Sequence, residues 1–129
     1  MVKVLDASAL MAYLEKEPGY EKVTGALTKA VSTEKKLLMT TVNWGEGYYM
    51  LVREYGSEEA EKIAGLIDTF PIELIPPDRE LTKQAALLKA TKKLPYADSF
   101  AAALALTRKA GLVTNDKDFR VVDNIIEIA

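Results

Sequence analysis

The sequence contains neither cysteine nor histidine. Disulfides, thiolate nucleophiles and thiolate metal sites are thereby excluded, and so is imidazole as base or ligand. Any chemistry must run on oxygen, amine or a bound metal. Long apolar runs are missing too: no segment approaches the ~20 uninterrupted apolar residues of a membrane-spanning helix, and no signal-peptide pattern precedes the first strand-like run. The expectation is a soluble, cytoplasmic protein with no membrane partner. An excess of positive charge is also absent. Lys and Arg number 17 against 19 Asp and Glu, a formal charge of -2. That balance argues against binding nucleic acid by bulk electrostatics, which relies on neutralising many phosphates. A local basic rim stays open.

What is present is enough apolar material for one core. Hydrophobic residues make up 49% of 129, which predicts a single domain over residues 1–129. Residues 2–5 have the β-branched and aliphatic character of a buried strand, and Ala7-Ser8-Ala9-Leu10 opens a helix. Asp6 falls at the junction. The helix that follows carries Leu10, Met11 and Leu14 and is punctuated by Pro18-Gly19. A second helix has Tyr20, Val23, Leu27 and Val31 at helical spacing. A strand over 37–39 ends at Thr40-Thr41, either of which suits the cap of a third helix, 42 to about 54.

Gly56 ends that helix. Ser57, followed by Glu58 and Glu59, predicts the N-cap of a fourth, with Ile63, Ala64 and Ile67 inward. A strand over 72–75 stops at Pro76-Pro77. A fifth helix, 78 to about 93, repeats the apolar spacing through Leu81, Ala85 and Leu88. The sixth, apolar nearly all round from Phe100 to Leu106, reads as buried, with Gly111 in the C-cap position. Strands over 112–114 and 125–128 complete the chain. Strands alternating with helices predict an α/β fold of three layers, α/β/α, around a mainly parallel central sheet.

Four acids stand out in that frame. Asp6 and Asp116 follow strands, at the sheet edge where open α/β folds bind ligands. Asp98 heads the buried helix, and Glu46 shares a face with Val42, Tyr49 and Met50. Each has a plainer explanation: Asp6 as an N-cap, Glu46 paired with Arg53, Asp116 or Asp118 as turn residues. If the four converge, two unit charges 4 Å apart repel by about 4 kcal/mol at an effective dielectric near 20. No basic residue adjoins Asp6, Asp98 or Glu46 in sequence. A hard divalent ion, Mg²⁺ or Mn²⁺, suits such an all-oxygen set, and phosphate chemistry suits that ion. Ser8, Thr114 and Asn115 are placed to orient carboxylates or metal-bound water, with local backbone capping as the alternative for the two hydroxyls.

The segments Val4-Leu5-Asp6-Ala7-Ser8-Ala9-Leu10, Val42-Asn43-Trp44-Gly45-Glu46-Gly47-Tyr48-Tyr49, Tyr96-Ala97-Asp98-Ser99-Phe100-Ala101 and Leu112-Val113-Thr114-Asn115-Asp116-Lys117-Asp118-Phe119 carry a resemblance. In this order they resemble the PIN-domain ribonucleases, most closely the VapC-like toxins of type II toxin-antitoxin pairs. The resemblance implies a PIN-like fold and an Mg²⁺ (or Mn²⁺)-dependent endoribonuclease with Asp6, Glu46, Asp98 and Asp116 as its catalytic and metal-binding quartet. It also implies a homodimer and a small cognate antitoxin. Asn115 stands where the family often has Gly, and Asp118 is matched less dependably, as an extra ligand. Lys89, Lys92, Lys93, Lys117 and Arg120 are candidate RNA contacts, although the first three also suit a helix C-terminus. Trp44, Tyr48 and Tyr49 would line a partner groove or pack in the core. Two other readings differ in class: a catalytically silent PIN-like module that binds a metal or a protein, and a phosphohydrolase with Asp6 as covalent nucleophile.

Overall fold

The computed structural model describes residues 2–129. The chain alternates as expected: β1 (Lys3–Leu5), α1 (Ala7–Leu14), α2 (Tyr20–Thr33), β2 (Leu37–Thr40), α3 (Thr41–Tyr55), α4 (Ser57–Ile67), β3 (Ile72–Ile75), α5 (Arg79–Lys92), α6 (Tyr96–Thr107), β4 (Gly111–Thr114) and β5 (Ile125–Glu127). A 3-10 turn, Lys117–Val121, separates the last two strands. All four strand pairings are parallel, in the order β3-β2-β1-β4-β5. Helices cover both faces, and the α/β/α expectation holds.

Two apolar clusters form the interior, one on each face. The first joins Leu5, Leu10, Val23, Met39, Leu51 and Val113. The second gathers Val4, Leu38, Leu112 and Phe119 around α6, whose residues from Asp98 to Ala105 are all buried. Neighbouring β1 residues Val4 and Leu5 therefore point to opposite layers, as strand periodicity requires. The central strand is sealed on both sides.

Three local expectations are corrected. Ser57 does not cap α4: Gly56 occupies that position at φ 86, and its carbonyl accepts the Ala60 N–H at 3.0 Å. Only that one residue separates α3 from α4, so the sharp bend needs a left-handed glycine and Ser57 is drawn into the helix. Gly111 is not a C-cap either. The helix closes earlier, with the Ala110 N–H on Ala105 O at 2.8 Å, the Lys109 N–H on Leu106 O at 3.3 Å and Lys109 itself at φ 51. This is a Schellman closure with lysine in the left-handed position, and it frees Gly111 to begin β4. Val31, expected inward, is 65% exposed because the buried stripe of α2 runs through Val23, Ala26, Leu27 and Ala30.

Candidate active site

Parallel strands bring their C-terminal ends to one edge, and α1, α3 and α6 begin there. Asp6, the residue after β1, is 3% exposed and is the N-cap of α1 as well as a member of the acidic group. Its Oδ1 accepts the Ala9 N–H at 2.9 Å and the Ser8 hydroxyl at 2.8 Å, while Oδ2 accepts the Thr114 hydroxyl at 2.6 Å. Each hydroxyl in turn accepts a backbone N–H from the turn after β4: Asn115 to Ser8 at 2.9 Å and Asp116 to Thr114 at 2.9 Å. Both protons are given to Asp6. The 3.2 Å approach of the two hydroxyls is then a packing contact. Burial pushes the Asp6 carboxyl up to about 6, against the pull of these hydrogen bonds.

Asp98 sits in the first turn of α6 at 7% exposure. Its carboxyl is pushed up to about 7, first by burial and then by the charges of Asp116, Glu46, Asp6 and Asp118. Glu46, half-buried on the second turn of α3, is raised by burial and by Asp116, while Asn43 holds it down. Asp116 caps the 3-10 turn by accepting the Asp118 N–H at 2.9 Å. The four acids singled out from sequence thus act on one another electrostatically.

Carboxylate oxygens of Asp98, Asp116 and Asp118 lie within 4.8 Å of one another. Asp118 is closer to the centre than its place in the sequence suggested, whereas Asp6 and Glu46 lie outside this trio. Ligand oxygens at about 2.1 Å from one Mg²⁺ are at most about 4.2 Å apart, so a small inward movement would make the trio a cation site. Among the described residues no Lys or Arg forms an ion pair with any of the five acids; the pairs present are Lys62–Glu59 and Arg120–Glu127. The donor set and its unbalanced charge fit a hard divalent ion.

A cavity of about 710 Å³ opens beside the acids, between Ser8, Asn115, Asp116 and Lys117 on one side and Met50 and Arg53 on α3. Of the five cations named from sequence, Lys117 borders this cavity. Arg120 is held by Glu127 at 2.5 and 2.8 Å. Lys89 and Lys92 lie in the last turn of α5 and Lys93 caps it, none of them in the cavity wall. Arg53, the alternative partner of Glu46, instead stacks its guanidinium 5.9 Å from the Tyr49 ring centre. Asn43, a fully buried amide, was given no role by the sequence. Trp44 and Tyr48 stack at 5.2 Å against the core, while Tyr49 is exposed.

Comparison with known proteins settles the ancestry of this arrangement. The family model described as PIN domain matches residues 3–125. The chain belongs to the PIN domain family. Solved structures with the same fold include VapBC-1 from nontypeable Haemophilus influenzae, with 17% identity, TM-score 0.74 and coverage of 98% of both chains. A toxin-antitoxin complex from Klebsiella pneumoniae matches with 13% identity, TM-score 0.73, over 100% of this chain and 98% of the other. VapC20 from Mycobacterium tuberculosis, described as a sarcin-ricin loop cleaving toxin, matches with 15% identity, TM-score 0.63, over 92% of each. No curated protein sequence matches significantly.

Proposed function

We propose that this PIN domain is a divalent-metal-dependent endoribonuclease, the toxin of a toxin-antitoxin pair, acting in the cytoplasm as one domain over its 129 residues. The observation that carries the reading is the group of Asp6, Glu46, Asp98, Asp116 and Asp118 at the C-terminal sheet edge, none of which forms an ion pair with a Lys or Arg among the described residues. The PIN family and the toxins that share the fold support it. A bound Mg²⁺ or Mn²⁺ would activate water and offset charge on the phosphodiester oxygens. Asp98, Asp116 and Asp118 would hold it, with Glu46 facing the same space. Asp6 is aimed by Ser8 and Thr114, whose hydroxyls also pin the turn that carries Asp116. These two side chains thus orient carboxylates, and Asn115 contributes its backbone N–H.

The same contacts weigh against covalent catalysis by Asp6. A nucleophilic carboxylate needs a free oxygen, and both of its oxygens are engaged at 3% exposure. A silent metal-binding module would take up the ion without cutting RNA. Labelled cellular RNA incubated with Mg²⁺ or Mn²⁺ separates the cases: the wild type is expected to cut, and Asp98→Asn and Asp116→Asn to lose at least about 100-fold in rate. Equal cutting by folded Asp98→Asn would refute the nuclease assignment. Co-expression with any small protein encoded beside it, followed by mass measurement of the product, tests the antitoxin and the homodimer.

A further inference from the structure

Asn43 lies within one of the resemblance segments, but nothing in the acidic pattern gives its side chain a role. It has no exposed surface at all, and a buried amide must find partners for every donor and acceptor. It finds them on two different elements. Thr40, the N-cap of α3, accepts the Asn43 backbone N–H at 3.1 Å and returns its hydroxyl proton to Asn43 Oδ1. Asn43 Nδ2 donates at 3.0 Å to the carbonyl of Ala97, 54 residues away. Ala97 immediately precedes Asp98 in the first turn of α6. Glu46 lies three residues after Asn43, one turn along the same helix.

We infer that Asn43 is a positioning residue: it fastens the start of α3, which carries Glu46, to the start of α6, which carries Asp98, and so fixes the separation of two carboxylates across the proposed metal site. The inference rests on the metal-dependent reading above. Among the described residues no other hydrogen bond joins the starts of α3 and α6. The Ser8 and Thr114 hydroxyls join Asp6 to the β4 turn, on the other side of the site, and leave α3 and α6 untouched. Ridge-into-groove packing between α3 and α6 fixes their crossing with a scatter of about 15–20° and does not by itself set the carboxylate separation. One directed amide hydrogen bond does set it, because geometry falls off steeply with angle. The Ala97 carbonyl, which can only accept, fixes the amide orientation: a flipped Asn43 would set its Oδ1 against that oxygen. The charged form of Glu46 is also favoured by this amide.

The test is Mn²⁺ binding by calorimetry on the intact chain, without RNA, beside thermal melts in chelator. Asn43→Asp keeps the acceptor for Thr40 and the volume, and in its ionised form cannot donate to Ala97. Its extra negative charge would by itself strengthen cation binding. A fall of about 10-fold or more in Mn²⁺ affinity therefore reports lost positioning, on the scale expected when partners of metal ligands are removed. Asn43→Leu, neutral and of similar size, is expected to weaken Mn²⁺ binding likewise. Val23→Ala, a core change away from the site, serves as the stability control: it lowers Tm and leaves Mn²⁺ affinity unchanged. Affinity equal to or tighter than wild type in both Asn43→Asp and Asn43→Leu overturns the inference and leaves the nuclease reading intact. Failure of the wild type to take up Mn²⁺ overturns both.

Discussion

Asp98 is the side chain whose charge this fold supports least. Its carboxyl is raised from 3.8 to about 7, and that of Asp6 to about 6. A folded-state value above the unfolded one means the protonated form is favoured by folding. The associated stability is complete below about pH 4 and is lost as pH rises through about 6 for Asp6 and about 7 for Asp98. In chelator the wild type is therefore expected to melt lower at pH 8 than at pH 5.5. Asp98→Asn, neutral throughout, should melt at least about 3 °C above wild type at pH 8 and show a shallower pH dependence. Parallel melting curves for the two would contradict the charge assignment. Divalent affinity has the opposite sign: it must weaken from pH 8 to pH 6 as Asp98 and Asp6 take up protons. At this scale the sequence was informative about acids and silent about their supports. Asp6 announced itself by following a strand, and it is both the N-cap of α1 and a member of the acidic group. Asn43 gave no such signal, because its partner Ala97 is a backbone carbonyl that only tertiary structure brings near.

Secondary elements were legible because apolar periodicity is strong here, and the misreadings cluster at boundaries where backbone geometry overrides side-chain preference. Ser57 has the chemistry of a cap, yet the one-residue α3–α4 junction leaves room for Gly56 alone. Gly19 shows the same primacy of backbone. It stands at φ 93, and a Cβ built on it would lie 2.1 Å from the carbonyl oxygen of Ile128. That carbonyl belongs to the segment after β5, which is tied down by the Ile128 N–H on Thr114 O at 3.1 Å and by Lys22 Nζ on Glu127 O at 3.0 Å. Gly19→Ala combines left-handed strain with overpacking, and a loss of about 2–4 kcal/mol is expected. Because Thr114 shares that contact, the damage should reach the acid site and weaken Mn²⁺ binding as well. Gly65, exposed within α4 with nothing within 4 Å of a built Cβ, is the contrasting case. Gly65→Ala should gain about 0.5–1 kcal/mol by restricting the unfolded chain. Denaturant melts that rank the two variants in the reverse order would show that neither contact is read correctly.

For the whole molecule the charge balance poses the sharpest question, since the proposed nuclease, at net charge -2, would have to hold an anionic polymer next to its own acids. The sequence offered five cations by proximity to Asp98 and Asp116, and proximity along the chain proved a poor guide to space. Arg120 is spent on Glu127, and the α5 lysines lie outside the cavity wall. Lys117 and Arg53 share the cavity with Asp116, and Arg53 lies seven residues beyond Glu46 on the same helix, roughly 10 Å along its axis. The same lining carries Glu15, Glu17 and Glu54, so Lys117 and Arg53 are its two cations and the candidate phosphate contacts of the proposed nuclease. RNA binding by Asp98→Asn at a series of salt concentrations, in Mg²⁺, isolates affinity from cutting. For a single strand each phosphate contact contributes about 0.7 to the slope of log affinity against log salt. Adding Lys117→Glu or Arg53→Glu should lower the slope by at least that amount, whereas Arg120→Gln, which removes a cation already neutralised, should leave it within error. If instead only the Arg120 change moved the slope, the strand would have to run along the 3-10 turn and β5, away from the cavity.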